Sequence, residues 1–157
     1  MQEAVFGAGC FWGVQASFDQ LEGVVETEVG YSGGHMVDPT YQKVCSDTTG
    51  HAEVVRVVFD PKVISYSQLL DHFFSIHDPT TPNRQGPDIG SQYRSIIFFS
   101  SPEQERKAME AREKLDASEY LTRPIVTEIV PSMPFYRAEE YHQKYHEKNG
   151  YISCGIL

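Results

Sequence analysis

Residues 5–13, VFGAGCFWG, set a thiol, two large aromatics and three glycines between an apolar run and a helical pattern. Residues 3–8 read as a short buried strand. From Cys10 onward Phe11, Val14, Phe18 and Leu21 share one helical face, and Gly23 stands where a helix stops. A glycine-rich turn from strand to helix is also the mark of dinucleotide-binding folds. Here the pattern is G-x-G-x-x-x-G, one residue longer than that fingerprint, although Glu28 lies near the expected acidic position. Phe11 and Trp12 occupy the turn where a pyrophosphate must approach the backbone, which argues against a phosphate loop.

The elements beyond the turn decide against it as well. Strands are expected at 24–31, 51–60, 94–100 and 125–130, with helices at 66–77, after Ser101, and at 137–148. Ser65 with Gln68, and Ser101 with Gln104, have the spacing of capping boxes, and Pro102 suits a first helical position. The order β-α-β-β-α-β-α-β-α does not alternate as a doubly wound sheet does. It fits an α+β, ferredoxin-like split β-α-β sandwich with an additional strand and helices. Two long loops, 32–50 and 79–92, are where function is expected.

A chain of 157 residues suits a single domain over 1–157, with a tail at 149–157. The net charge is −9 and no basic run appears, which argues against nucleic acid or an acidic membrane as partner. No apolar run reaches membrane-spanning length and the N-terminus lacks a signal-peptide pattern. Three cysteines at irregular spacing make neither a disulfide framework nor a zinc site, so a cytoplasmic protein with individually placed thiols is expected.

Cys10 falls at the strand-to-helix junction, where backbone amides and the helix dipole favour a thiolate. A buried structural cysteine fits the local sequence equally well. Phe11 belongs to the apolar stripe of the helix, whereas Trp12 sits about 100° from it. Alternation places Glu53 on the face of Val55, Val57 and Phe59, with Arg56 on a solvent side. A carboxyl there would be desolvated and kept as a proton donor, or would simply cap the strand edge. Tyr41 and Tyr93 lie at the ends of the long loops, and Asp88 lies within the second. His142 and His146 stand one helical turn apart, but two ligands without a third make no metal site. His51 could pair with Cys10 in a cysteine acyl-transfer dyad, though no oxyanion motif accompanies it. A non-catalytic binding module built on Phe11 and Trp12 is a further alternative.

The segments GCFWG (9–13), GYSGG (30–34), PTYQKV (39–44), TGHAEVV (49–55), HDPTTPNRQGPDIGSQYRS (77–95) and AEEYHQKY (138–145) together resemble the type A peptide methionine-S-sulfoxide reductase family. The resemblance implies a protein-repair oxidoreductase that reduces methionine-S-sulfoxide, free or in proteins, without a cofactor other than an external thiol reductant. It implies that Cys10 is the nucleophile that becomes a sulfenic acid, and that Glu53 is the proton donor. Tyr41 and Tyr93 would be hydrogen-bond donors to the sulfoxide oxygen, and Asp88 a partner acting through water. Phe11 and Trp12 would wall the methyl pocket, with His142 and Tyr145 supporting it. Cys154, in the segment HEKNGYISCGIL, is the implied resolving cysteine whose disulfide thioredoxin opens. Cys45 is read as a bystander or alternative resolver.

Overall fold

The computed structural model describes residues 1–149. Six strands form one mixed sheet: β1 (Gln2–Ala8), β2 (Val24–Ser32), β3 (Ala52–Phe59), β6 (Ser95–Phe99), β7 (Glu128–Pro131) and β8 (Tyr136–Arg137). Their order is β7-β6-β1-β3-β2-β8. The inner four pair antiparallel in the split β-α-β arrangement, and β7 adds parallel to β6 at one edge. The ferredoxin-like reading therefore holds, with both edges extended.

Helices α1 (Phe11–Asp19) and α3 (Tyr66–Ser75) lie on one face of the sheet because their apolar stripes need the same cover. Phe6 of β1 stacks on Phe18 of α1 at 5.3 Å and on Phe73 of α3 at 5.1 Å between ring centroids. Ser65 and Gln68 form the expected reciprocal cap of α3. At α4 (Pro102–Asp116) the box is only half made. Ser101 accepts the Gln104 N–H, but the Gln104 carboxamide reaches back to the amide of Ser100 and donates to the Glu3 carbonyl. The opposite sheet face is less open than the alternation implied. Arg56 is half-buried there, but Ala52 and Val54 are sealed with Ile96 and Phe98, and Phe135 packs over them.

Several expected boundaries differ, each for a tertiary reason. The loop at 32–50 contains a short helix, α2 (Tyr41–Cys45), opened by the Thr40 hydroxyl, which accepts the Lys43 N–H. Five residues are too few to register as a period. The second loop contains a small hairpin, β4 (Arg84–Gln85) with β5 (Asp88–Ile89), and a 3₁₀ turn at Ser91–Tyr93. The last strand starts later than expected because the amides of Ile125 and Val126 donate to Asp116 and to the Pro79 carbonyl.

The largest correction is at 137–148, which is not one helix. Arg137 pairs with Gly30 in β8, a 3₁₀ turn follows at Glu140–His142, and α5 runs only over Tyr145–Asn149. Lys144 between them has φ +56. The Gln143 carboxamide accepts the Val29 N–H at 3.0 Å and donates to the Val29 carbonyl at 2.9 Å, mimicking one more residue of sheet. That pairing with the edge of β2 outweighs the helical pattern of the segment.

Candidate active site

At the end of β1 the chain turns at Gly9, whose φ of +100 favours glycine. A Cβ there would also meet Gln85 Cγ at 2.9 Å. The turn delivers Cys10, half-buried, as the N-cap of α1. The first helical amide, that of Phe11, donates to Oε1 of Glu53 at 3.2 Å. Glu53 lies on β3 opposite Tyr31 of β2 and is 1 % exposed, on the same side as the fully buried Val55, Val57 and Phe59. The strand-edge alternative for Glu53 is thus overturned: the carboxyl is inside, against the helix start that carries the thiol. A carboxyl withdrawn from water is disfavoured in its charged form.

The long loops close over this pair. Tyr41 opens α2, with its ring 4.4 Å from that of His142 and 6.5 Å from those of Phe11 and Trp12. Burial raises its phenol well above the usual range, helped by a hydrogen bond with Cys45 and by the charge of Glu53. Burial likewise raises Tyr93, followed by the charges of Glu53, Cys45, Asp88 and Cys10, so these five groups share one electrostatic neighbourhood. Burial also pushes Asp88 above the usual carboxylate range. The loops are tied together where Ser91 donates to Asp47 and Arg94 donates to the Gly50 carbonyl.

Aromatic rings form the wall beside the thiol. Phe11 is 1 % exposed and packs 5.2 Å from His142 and 5.7 Å from Tyr31, so it backs the wall instead of facing solvent. Trp12 is half-buried and stacks almost parallel on Tyr145, 3.8 Å between centroids. Its indole N–H donates to Nδ1 of His142 at 2.8 Å. Since Nδ1 accepts, the proton of the neutral ring sits on Nε2, a buried atom with no hydrogen-bond partner among the described residues. A cavity of about 270 Å³ flanks Trp12, lined by Gln15, Asp19, Lys144 and Tyr145 among others. A larger cleft of about 1410 Å³, between α3, α4 and the loop at 78–86, contains none of the expected site residues.

The fold thus gathers Cys10, Glu53, Tyr41, Tyr93, Asp88, Phe11, Trp12, His142 and Tyr145. His51 is engaged elsewhere: Nδ1 accepts the Gly34 N–H at 3.0 Å and Nε2 donates to the Met36 carbonyl at 2.7 Å, pinning the first loop. His142 and His146 belong to different elements, so the one-turn spacing that suggested a metal pair is lost. Among the described residues no cluster of three or more His, Cys, Asp or Glu could hold a metal ion. Cys154 lies outside the described residues. Two residues escaped the sequence reading. Glu139 holds Tyr31 and Tyr41, and Gln143 holds Val29. Both stand in the AEEYHQKY segment, but an assumed helix gave neither a reason to reach the sheet.

A cysteine at a helix start stands beside a buried carboxyl, phenols and an aromatic wall, an arrangement able to hold a polar oxygen next to an apolar group. Residues 2–156 match the family model Peptide methionine sulfoxide reductase. The chain is 58 % identical to the peptide methionine sulfoxide reductase MsrA of Methanosarcina acetivorans over 97 % of its own length and 81 % of the relative's. It superimposes on Mxr1 of Saccharomyces cerevisiae in reduced form with a TM-score of 0.91 at 38 % identity, covering 98 % of this chain and 88 % of that one. A structure of Mxr1 in complex with Trx2 matches with a TM-score of 0.67 at 26 % identity, covering 99 % and 88 %. The chain belongs to the peptide methionine sulfoxide reductase family. It is an oxidoreductase that returns methionine sulfoxide to methionine. No helix among the described residues is long and apolar enough to cross a membrane.

Proposed function

We propose that Cys10 performs the reduction as a nucleophile on the S epimer of the sulfoxide, with Glu53 as proton donor. The Cys10 thiolate attacks the sulfoxide sulfur, and oxygen passes to the cysteine. The products are methionine and a Cys10 sulfenic acid. Sulfoxide oxygen is a poor leaving group until protonated, so a neutral acid must stand beside the nucleophile. The observation that carries this reading is Glu53 Oε1 on the Phe11 amide, one residue from Cys10, at 1 % exposure. A protonated Glu53 also spares the thiolate a like charge.

The phenols of Tyr41 and Tyr93, kept neutral by burial, donate to the oxygen as it gains charge. Asp88 acts through water. Trp12, steadied by His142 and Tyr145 and backed by Phe11, receives the S-methyl group. Fixing oxygen, methyl and side chain at three points selects one epimer. The sulfenic acid then condenses with a second thiol, releasing water, and Cys154 is the proposed resolver. A thioredoxin-type dithiol reduces the disulfide. The Mxr1–Trx2 complex supports that last step by similarity. No bound cofactor is needed, and a reducing cytoplasm is the compartment such recycling suits. Mass spectrometry after one turnover without reductant tests the scheme. A Cys10–Cys154 disulfide is expected, and a Cys10–Cys45 disulfide or a persistent sulfenic acid would overturn the assignment of Cys154.

A further inference from the structure

We propose that Glu139 is a positioning residue for the reduction, holding Tyr41 in register with Trp12 and His142 through a two-handed carboxylate. Oε1 accepts the Tyr31 O–H at 2.8 Å and Oε2 accepts the Tyr41 backbone N–H at 3.0 Å. Tyr31 is fully buried on β2, opposite Glu53, so one hand grips the rigid sheet. The other grips the first residue of α2, a helix too short to fix itself. The amide it takes is one of those a helix start leaves without an internal partner.

The same residue reaches the aromatic wall through its backbone. The Glu139 carbonyl accepts the His142 N–H at 2.9 Å, and His142 holds the Trp12 indole. One residue thereby links the sheet beneath the site, the helix carrying a phenol and the turn carrying the ring that steadies the tryptophan. Burial pushes the Glu139 carboxyl upward, but hydrogen bonds from Tyr41 and Tyr31 outweigh it and hold the group below the usual carboxylate range. That agrees with a carboxylate accepting on both oxygens. Glu139 commits both carboxylate oxygens to Tyr31 and Tyr41. It acts by placing Tyr41, which rests on the role proposed for Tyr41 above.

The test is a set of single-turnover measurements of methionine formation by the full chain at saturating sulfoxide, with KM measured separately. E139A is expected to slow the step about tenfold with KM changed less than threefold. E139Q recovers most of the rate, because a carboxamide can turn its oxygen to the Tyr41 amide and its NH2 to the Tyr31 oxygen. In a Y41F background E139A adds less than twofold, since both changes remove one function. If E139A fails to unfold cooperatively, E139D replaces it with the same expectations, being one methylene too short for both contacts. An E139A or E139D rate equal to wild type, or losses that multiply with Y41F, overturns the inference. Should Y41F itself be as fast as wild type, the role given to Tyr41 fails, and the inference with it. A slow Y41F beside a fast E139A refutes only the part played by Glu139.

Discussion

Trp12 and His142 stand 130 residues apart in the chain and 2.8 Å apart in space, indole N–H on Nδ1. The bond needs a neutral imidazole, because a proton on Nδ1 would expel the indole. Burial lowers the His142 pKa from its ordinary 6.5. The contribution is therefore complete above pH 6.5 and is lost as pH falls through the lower folded value. Trp12 is the sole tryptophan, so its fluorescence reports the contact. An acid transition below pH 6.5, absent in H142A, is expected, and one above 6.5 would contradict the assignment. H142A should also raise KM and lower stability by about 1–3 kcal/mol, the cost of leaving a buried donor unpaired.

Glu53→Gln keeps the shape of the buried carboxyl and its acceptor for the Phe11 amide, but removes the transferable proton. Substrate binding should change less than threefold while the first-turnover rate falls by about 10²–10⁴. Rapid-quench methionine formation reads this directly, and an unchanged rate would remove Glu53 from the chemistry.

Both site tyrosines are raised above the usual phenol range, mainly by burial. They therefore remain protonated donors through neutral and mildly alkaline pH. Y41F and Y93F should each slow methionine formation by about 10²–10³-fold, the range for losing one preorganised donor to a developing charge. Neither substitution should introduce or remove a titration below pH 10 in the rate profile. A phenol-dependent limb in that range would show that the rings ionise during the reaction.

The frame of this fold was legible in the sequence because it rests on strong periodicities. Phe11, Val14 and Phe18 recur at helical spacing, Val55, Val57 and Phe59 alternate, and all lie in the core. The turn at Gly9 and Cys10 followed from the same patterns, whereas alternation set the face of Glu53 but left a buried carboxyl and a strand-edge cap both open. What stayed hidden depends on side chains that bond to distant backbone. Gln143 paired with Val29 unmakes the expected helix at 137–148, and Glu139 clamps Tyr41 from 98 residues away. Neither leaves a local period. The short helix at Tyr41–Cys45 was hidden by length. The roles given to Cys10, Tyr41, Tyr93 and Asp88 came from the family resemblance, and not from spacing.

A pH effect on stability should come from His77. Its Nδ1 donates to the Phe73 carbonyl and its Nε2 meets the Ser95 hydroxyl, each at 2.7 Å. Burial pushes the pKa down to about 4 from 6.5. The unfolded chain thus takes up the proton first as pH falls. Stability is complete above pH 6.5 and declines toward pH 4. The full shift corresponds to about 3 kcal/mol, and about 1–3 allows for the part of the ring water reaches. His72 shifts in the same direction. Urea unfolding at pH 7 and 4.5 should show the loss, and H77Q should flatten it. A slope equal to wild type in H77Q would assign the effect elsewhere.

The most direct test of the central claim is a single-turnover reaction of the full chain with methionine-S-sulfoxide, without external reductant, comparing wild type with C10S. Wild type should form one equivalent of methionine for each active site, with dimedone-trappable oxidation or a disulfide at Cys10, and C10S should form none. Methionine formation that survives in C10S would contradict Cys10 as the atom that takes the oxygen.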